Sequence, residues 1–309
     1  NRVLSYLGLK QIQESPRYGF LFFLKQLKRP TRISDLVFII APRINAAGRM
    51  NQGINAVELL LSNSHEEALP IARSIEFFNT ERRSTDERIT KEALQQIELE
   101  EAKYKSSTVV YHPSWHKGVI GIVASRLIES YYRPTVVLTK SENVLAGSAR
   151  SVKGFDVYQA LEACKAHMIQ FGGHKYAAGL TMKETQLEEF KVAFEMAVNS
   201  RISESQRLPS LVYDVETSLD NITPKLYRIL SQMSPFGPKN MRPVFVSHQC
   251  RDYGGSRLVG KENDHLKLEV VDSSGCTLQG IAFGLGSHHT KIKQKRPFSM
   301  LYNVDENEF

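Results

Sequence analysis

Phe171-Gly-Gly-His-Lys-Tyr-Ala-Ala-Gly179 is the stretch on which the reading of this chain turns. Two successive glycines lack Cβ atoms, so their backbone can take unusual dihedrals and press close to a ligand. His174 follows at once and supplies a side-chain donor. Ala177, Ala178 and Gly179 are too small to hold a partner surface away. The stretch is predicted to be a tight turn, with amides free to form an anion nest, leading into a short buried strand at Leu180–Met182.

Working outward, the flanking sequence alternates strands and helices. Thr108–Tyr111, Pro134–Leu138 and Val144–Arg150 read as strands, and Val119–Tyr131, Phe155–Cys164 and Gln186–Val198 as helices. That order predicts an α/β domain. Period-two alternation in the third strand puts Ser148 and Arg150 on one face.

Upstream, residues 1–28 carry apolar residues at helical spacing, with a break at Ser15-Pro16, and Ile33–Ile40 is a short apolar segment. Pro42-Arg-Ile-Asn-Ala-Ala-Gly-Arg49 combines small residues with Arg43 and Arg49, whose guanidinium forks suit phosphate oxygens. From Ser64 to about Glu101 the pattern is helical and rich in Glu, Arg, Lys and Gln. Its apolar face is too thin for a core element throughout, which predicts a helix bridging two domains.

Downstream, residues 201–210 read as a linker. Beyond it lie short strands (Leu211–Val215, Val244–His248, Ser256–Gly260, Leu266–Val271, Thr277–Phe283 and Phe298–Asn303) and a helix at Pro224–Met233. Strands of that length with Gly and Asp turns predict a small barrel or sandwich. Lys291, Lys293, Lys295 and Arg296 form a basic loop before the last strand, suited to tracking a nucleic-acid backbone.

Across the 309 residues, 40 Lys and Arg against 33 Asp and Glu give a net charge of +7, which favours a polyanionic partner. No apolar run reaches the length of a membrane span. The 3 cysteines, Cys164, Cys250 and Cys276, are widely spaced and suit a reducing, cytoplasmic setting. The first residues, Asn1-Arg-Val-Leu, carry neither an initiator Met nor a signal-peptide pattern and read as though cut from a longer chain.

Pro42–Arg49, Trp115-His-Lys-Gly-Val-Ile-Gly-Ile-Val-Ala-Ser-Arg126, Gly147-Ser-Ala-Arg-Ser151 and Gly172–Gly179, in that order, resemble the bacterial RecJ family of single-strand-specific 5′→3′ DNA exonucleases. The resemblance covers nearly the whole chain. It implies four parts: the end of a catalytic DHH domain at 1–63, a connecting helix at 64–105, a DHH-associated α/β domain with a mixed sheet at 106–202, and an oligonucleotide-binding barrel at 208–309, truncated at its end. It implies an Mn²⁺- or Mg²⁺-dependent enzyme of DNA repair and recombination that acts on single-stranded DNA, with a single-strand-binding protein and a helicase as partners.

The aspartate-rich motifs that hold the metals in that family are missing from this sequence. Ser287-His-His289 lacks the aspartate and lies in the wrong domain. The chain is therefore expected to be the substrate-holding half of the enzyme, without nuclease activity of its own. Ser148, Arg150 and His174, with the Gly172-Gly173 amides, are the expected phosphate clamp. Arg43, Arg49, His116 and Lys117 are further contacts to the strand, and Trp115 is a weaker candidate for stacking on it. Two alternatives stand beside this reading: a DHH-superfamily phosphoesterase acting on short oligonucleotides, and a non-catalytic single-strand-binding module.

Overall fold

The computed structural model describes residues 1–25, 27, 29–99 and 105–306. The chain divides into two compact units, one of residues Leu9–Ser210 and one of Asn1–Gly8 with Leu211–Phe309.

The chain opens with helices. Helix α1 (Arg2–Glu14) stops ahead of Pro16, and α2 (Tyr18–Leu24) follows. The apolar segment after it is helical throughout: α3 (Ile33–Asp35) runs into a π-helical turn, Leu36–Ile40, and then into α4 (Ala41–Met50). Pro42 sits in the first turn of α4. Helix α5 (Ile54–Leu61) then leads to α6 (His65–Leu99), 35 residues long.

Helix α6 corrects the expectation of a thin apolar face. Ala68, Ala72, Ile75, Asn79, Asp86, Ile89, Ala93 and Ile97 are all buried and recur at spacings of three, four and seven. They form one stripe along the whole helix. Its first half packs with Phe23, Ile40, Ala47 and Leu59 from α2, the π-helical turn, α4 and α5. Its second half packs with Trp115, Val119, Val123 and Leu127. Much of the stripe is alanine, asparagine and aspartate, so its hydrophobicity understates its burial.

The α/β part consists of β1 (Thr108–Tyr111), α7 (Ile120–Ser130), β2 (Thr135–Ser141), β3 (Val144–Arg150), α8 (Val157–Ala163), β4 (Gln170–His174), β5 (Ala177–Met182), α9 (Leu187–Asn199) and the single turn α10 (Glu204–Arg207). The sheet order is β1-β2-β3-β5-β4. Only β1 and β2 run parallel, so the sheet is mixed. One face buries Leu145, Ala149, Ala178, Leu180 and Met182 against α8 and α9. The other carries Val137 and Val110 against α6 and α7.

Two expectations change here. The Gly-Gly-His stretch is an edge strand, and the turn falls at Lys175-Tyr176. Both glycines lie in the β4 ladder, and Gly173 takes a φ of 153°. Part of the expected linker is anchored, because Arg207 donates to Ser106 Oγ at 2.8 Å and to Asn199 Oδ1 at 3.0 Å.

The smaller unit contains β6 (Val215–Glu216), α11 (Pro224–Gln232), β7 (Phe245–Asp252), β8 (Arg257–Val259), β9 (His265–Val271), β10 (Thr277–Ala282), α12 (His289–Lys293) and β11 (Phe298–Tyr302). The ladders run β10-β9-β7-β11, with β6 on β7 and β8 on β9. The pairing describes a six-stranded sheet, and among the described residues β10 and β11 share no ladder. The expected strand at 211–215 shrinks to β6, with Asp214 accepting from Val244 N at 2.8 Å beside it. The expected basic loop is helical at Lys291 and Lys293.

The α6 stripe yields a stability test. Ala72 and Ala93 are fully buried, so Ala72→Leu and Ala93→Leu insert volume where the helix needs close approach. Each is expected to destabilise by about 1–3 kcal/mol, while Glu81→Ala on the exposed face stays near neutral. Urea unfolding measures all three.

Candidate nucleic-acid interface

Sheet register assembles the site. Arg150 lies opposite Ala177, which lies opposite His174. Ser148 lies opposite Gly179, which lies opposite Gly172. Residues directly opposite share a face, so all six point to the side of the sheet that carries α7. Helix α7 packs on β2 and β3. The outer strands continue as a shelf on which Gly172, His174 and Gly179 are exposed. Two strand spacings separate the backbones of Arg150 and His174, about 10 Å. The floor between them carries only Ala177 and Gly179.

The two glycines of β4 differ in kind. A Cβ on Gly173 would lie 2.3 Å from the Ala177 carbonyl oxygen and 2.5 Å from Ala178 Cα, so that position needs glycine for the hairpin itself. A Cβ on Gly172 would meet nothing within 4 Å, and one on Gly179 would only reach Gly147 O at 4.0 Å. Nothing within the protein requires those two to be bare. The open space above them has room for a ligand.

Arg150 donates from Nη1 to Ser148 Oγ at 2.9 Å and to the Ala149 carbonyl at 2.8 Å. It has no acidic partner among the described residues. Burial, and then the neighbouring Arg49, lower its pKa from the ordinary arginine value. A Cβ on Gly121 would lie 2.8 Å from Arg150 Nη2 and 3.0 Å from Ser148 Oγ, so the bare helix position makes room for the pair. His174 Nδ1 accepts from Tyr176 N at 3.2 Å. That bond selects the tautomer with hydrogen on Nε2, leaving a donor on an exposed ring.

The start of α7 collects the other candidates. Arg49 donates to Gly118 O at 3.2 Å, and a Cβ on Gly118 would collide with Arg49 O. His116 Nδ1 accepts from Gly118 N at 3.1 Å. Lys117 Nζ donates to Ser141 Oγ at 3.4 Å and stays exposed.

Other candidates are placed elsewhere. Arg43 makes a two-pronged ion pair with Glu76 of α6, bonds the Ile39 carbonyl at 2.8 Å and lies over the Phe23 ring. Its fork holds the helical core together, so it is no open phosphate contact. Trp115 is 4% exposed, with Nε1 donating to Glu92 Oε2 at 2.8 Å, and packing on α6 prevents it from stacking on a strand.

In the smaller unit, Lys293 donates to Asp252 Oδ2 at 3.3 Å and to the Gly254 carbonyl at 2.8 Å, anchoring α12. Lys291, Lys295 and Arg296 remain exposed. Lys295 takes φ of 56°, two residues past the end of that helix.

Gly118 and Gly121 did not stand out in the sequence as shaping residues, although both lie in the Trp115–Arg126 motif. A glycine's role in admitting a neighbour appears only once the neighbour is placed. The described residues include no group of three or more His, Cys, Asp or Glu able to hold a metal ion.

Residues 102–200 match the DHHA1 domain family, and residues 213–309 match the RecJ OB domain. From residue 102 onward the chain thus carries a DHH-associated domain and an oligonucleotide-binding domain of RecJ type. It is 33% identical over its whole length to the single-stranded-DNA-specific exonuclease RecJ of Dickeya dadantii, covering 55% of that protein. It is 30% identical to the Bacillus subtilis protein of the same name, covering 40%. RecJ of Thermus thermophilus, solved in complex with Mn²⁺, matches all of this chain with a TM-score of 0.82 at 25% identity, over 44% of its own chain. The chain belongs to the RecJ family and spans about half the length of the curated relatives it matches.

The contrast between the two glycines is testable. Gly173→Ala is expected to lower the melting temperature, by overpacking worth about 1–3 kcal/mol. Gly172→Ala is expected to leave melting unchanged and to weaken binding of a 5′-phosphorylated oligonucleotide. Thermal melts with fluorescence anisotropy separate the two effects.

Proposed function

We propose that this chain is the strand-holding portion of a 5′→3′ exonuclease acting on single-stranded DNA in repair and recombination. The observation that carries the reading is the register that sets Ser148 and Arg150 against His174 across a floor of Ala177 and Gly179. A phosphodiester gains negative charge in the transition state of hydrolysis, and fixed donors lower that barrier. Among the described residues Arg150 has no competing carboxylate, Ser148 shares its hydrogen bond, and His174 offers Nε2–H from the edge strand. Arg49, His116 and Lys117 extend the donor set along the start of α7. In the smaller unit, Lys291, Lys295 and Arg296 are the strand contacts we propose for the oligonucleotide-binding domain.

The division we propose follows the four parts read from the sequence, with α6 as the connecting element between residues 64 and 105. RecJ of T. thermophilus has been solved with Mn²⁺ and with Mg²⁺. The residues described here do not fit such an ion, so we place its ligands outside this chain. The metal would activate the attacking water, and these 309 residues position the phosphate for it. A reducing, cytoplasmic setting suits the free thiols of Cys164, Cys250 and Cys276. A single-strand-binding protein and a helicase are the partners such an activity calls for.

Two measurements test the reading. In a longer protein that carries the metal ligands, His174→Ala and Arg150→Ala are expected to lower kcat more than they raise KM, by on the order of 10²–10³ fold for an oxyanion-type donor. Normal turnover per folded molecule in a protein of lowered melting temperature would return both residues to a packing role. For the chain itself, Lys291→Gln with Lys295→Gln is expected to flatten the dependence of log K on log salt for single-stranded DNA. The purified chain is expected to degrade no 5′-phosphorylated single strand with Mn²⁺ or Mg²⁺, and metal-dependent degradation would overturn the assignment of the metal ligands to another segment.

A further inference from the structure

Buried polar atoms recur along one face of α6. Arg82 Nε, both carboxylate oxygens of Asp86 and Thr90 Oγ1 follow at intervals of four residues, and none has a hydrogen-bond partner among the described residues. Asp86 is the costliest of the three, being acidic and fully buried. Its ion pair is with Arg126 of α7, whose Nη2 lies 2.8 Å from Oδ2. An ion pair in such a place contributes little net stability, and well-packed apolar residues often do as well or better. Stability therefore does not account for an acid at this position.

Geometry does. The rest of the contact between these helices is apolar, with Ile89 and Ala93 of α6 against Val123, Ala124 and Leu127 of α7. Such contacts are non-directional and leave a helix free to turn or slide slightly. The first turn of α7 tolerates no such freedom. A Cβ on Gly118 would collide with Arg49 O, and one on Gly121 would lie 2.8 Å from Arg150 Nη2 and 3.0 Å from Ser148 Oγ. Arg49 is bonded to Gly118 O at 3.2 Å and moves with it. A buried charge pair has the direction that the apolar surface lacks.

We propose that Asp86 is a positioning residue for the phosphate clamp: through Arg126 it locks α7 on α6 at the setting in which Gly118 and Gly121 hold Arg49 and Arg150 in place. The proposal rests on the strand-holding reading above. Asp86 is wholly buried, so it touches no strand itself. The sign of its effect sets positioning apart from plain electrostatics. Removing the acid makes the chain more basic, and charge alone then tightens the hold on an anion, whereas loss of position weakens it. A merely structural acid lowers the melting temperature and leaves the affinity of the folded chain unchanged.

The test uses the 309-residue chain and 5′-phosphorylated oligo(dT), with binding read by anisotropy well below each variant's melting temperature. Asp86→Asn is expected to weaken binding about tenfold, the low end of what losing an orienting partner costs. Unchanged or tighter binding by folded Asp86→Asn overturns the proposal. Asp86→Leu with Arg126→Met leaves the net charge as it was and fills the space with apolar side chains. It is expected to melt at the same or a higher temperature and still to bind about tenfold more weakly. Unchanged affinity in that variant overturns the proposal, even if Asp86→Asn fails to fold. The ¹⁵N-arginine Nε–H resonance of Arg150, recorded without oligonucleotide, is expected to shift in the double variant. A stationary resonance beside weakened binding makes Arg126 a strand contact in its own right and overturns positioning. Arg150→Gln is the control for the underlying reading. If it weakens binding while Asp86→Asn does not, the clamp stands without Asp86. If Arg150→Gln changes nothing, the strand-holding reading falls and the positioning role with it.

Discussion

The site depends on how closely the first turn of α7 approaches its neighbours. At Gly118 the helix start lies against the backbone of Arg49, and at Gly121 it lies against the Arg150 guanidinium and the Ser148 hydroxyl. A methyl group at either place would push α7 outward. Arg49 would then lose its anchor on the Gly118 carbonyl, and Arg150 would lose the wall that holds it beside Ser148. The Arg126–Asp86 pair presses from the other end of the helix, and its acid is wholly buried. Ion pairs of this kind are poor sources of net stability, but breaking one leaves an uncompensated charge. Burial raises the pKa of Asp86 against the pull of Arg126 and Arg82, so the carboxylate is held in place at some cost.

Sheet register does the rest. In an antiparallel sheet a one-residue slip turns every side chain to the other face. Here Ala149, Ala178 and Leu180 face the α8–α9 core, and that hydrophobic demand fixes where Ser148, Arg150 and His174 point. Gly173 sets the hairpin by its tight contact with Ala177 and Ala178. The core on one side of the sheet thereby dictates the donor geometry on the other, without any donor having to contribute to packing.

The α/β alternation was legible because Thr108–Tyr111 and Val144–Arg150 are short, dense in β-formers or alternating, and bounded by turn residues. Alternation alone placed Ser148 with Arg150. The role of α6 was obscured, because alanine, asparagine and aspartate fill a buried stripe that a count of large apolar residues does not see. The Gly-Gly pair read as a turn because two glycines disfavour a strand interior. At an edge strand, where no side chain is needed on the open face, that objection loses force. Lys293 looked like a member of an open basic run, and only the fold brings Asp252, 41 positions away, within 3.3 Å of it.

Arg43 and Arg49 show why a motif does not confer one role on all its residues. Six residues separate them on α4, and at about 100° per residue their side chains leave the helix some 120° apart. One direction meets α6, where Glu76 takes the guanidinium on both oxygens and Phe23 lies beneath it. The other meets the start of α7, where only a carbonyl is offered. An arginine paired to a carboxylate has little left to give a phosphate, whereas one bonded to a neutral carbonyl keeps its full charge and most of its donors. The same chemical group therefore closes a core on one side of α4 and is left without a carboxylate among the described residues on the other, and the neighbour that each direction meets decides which.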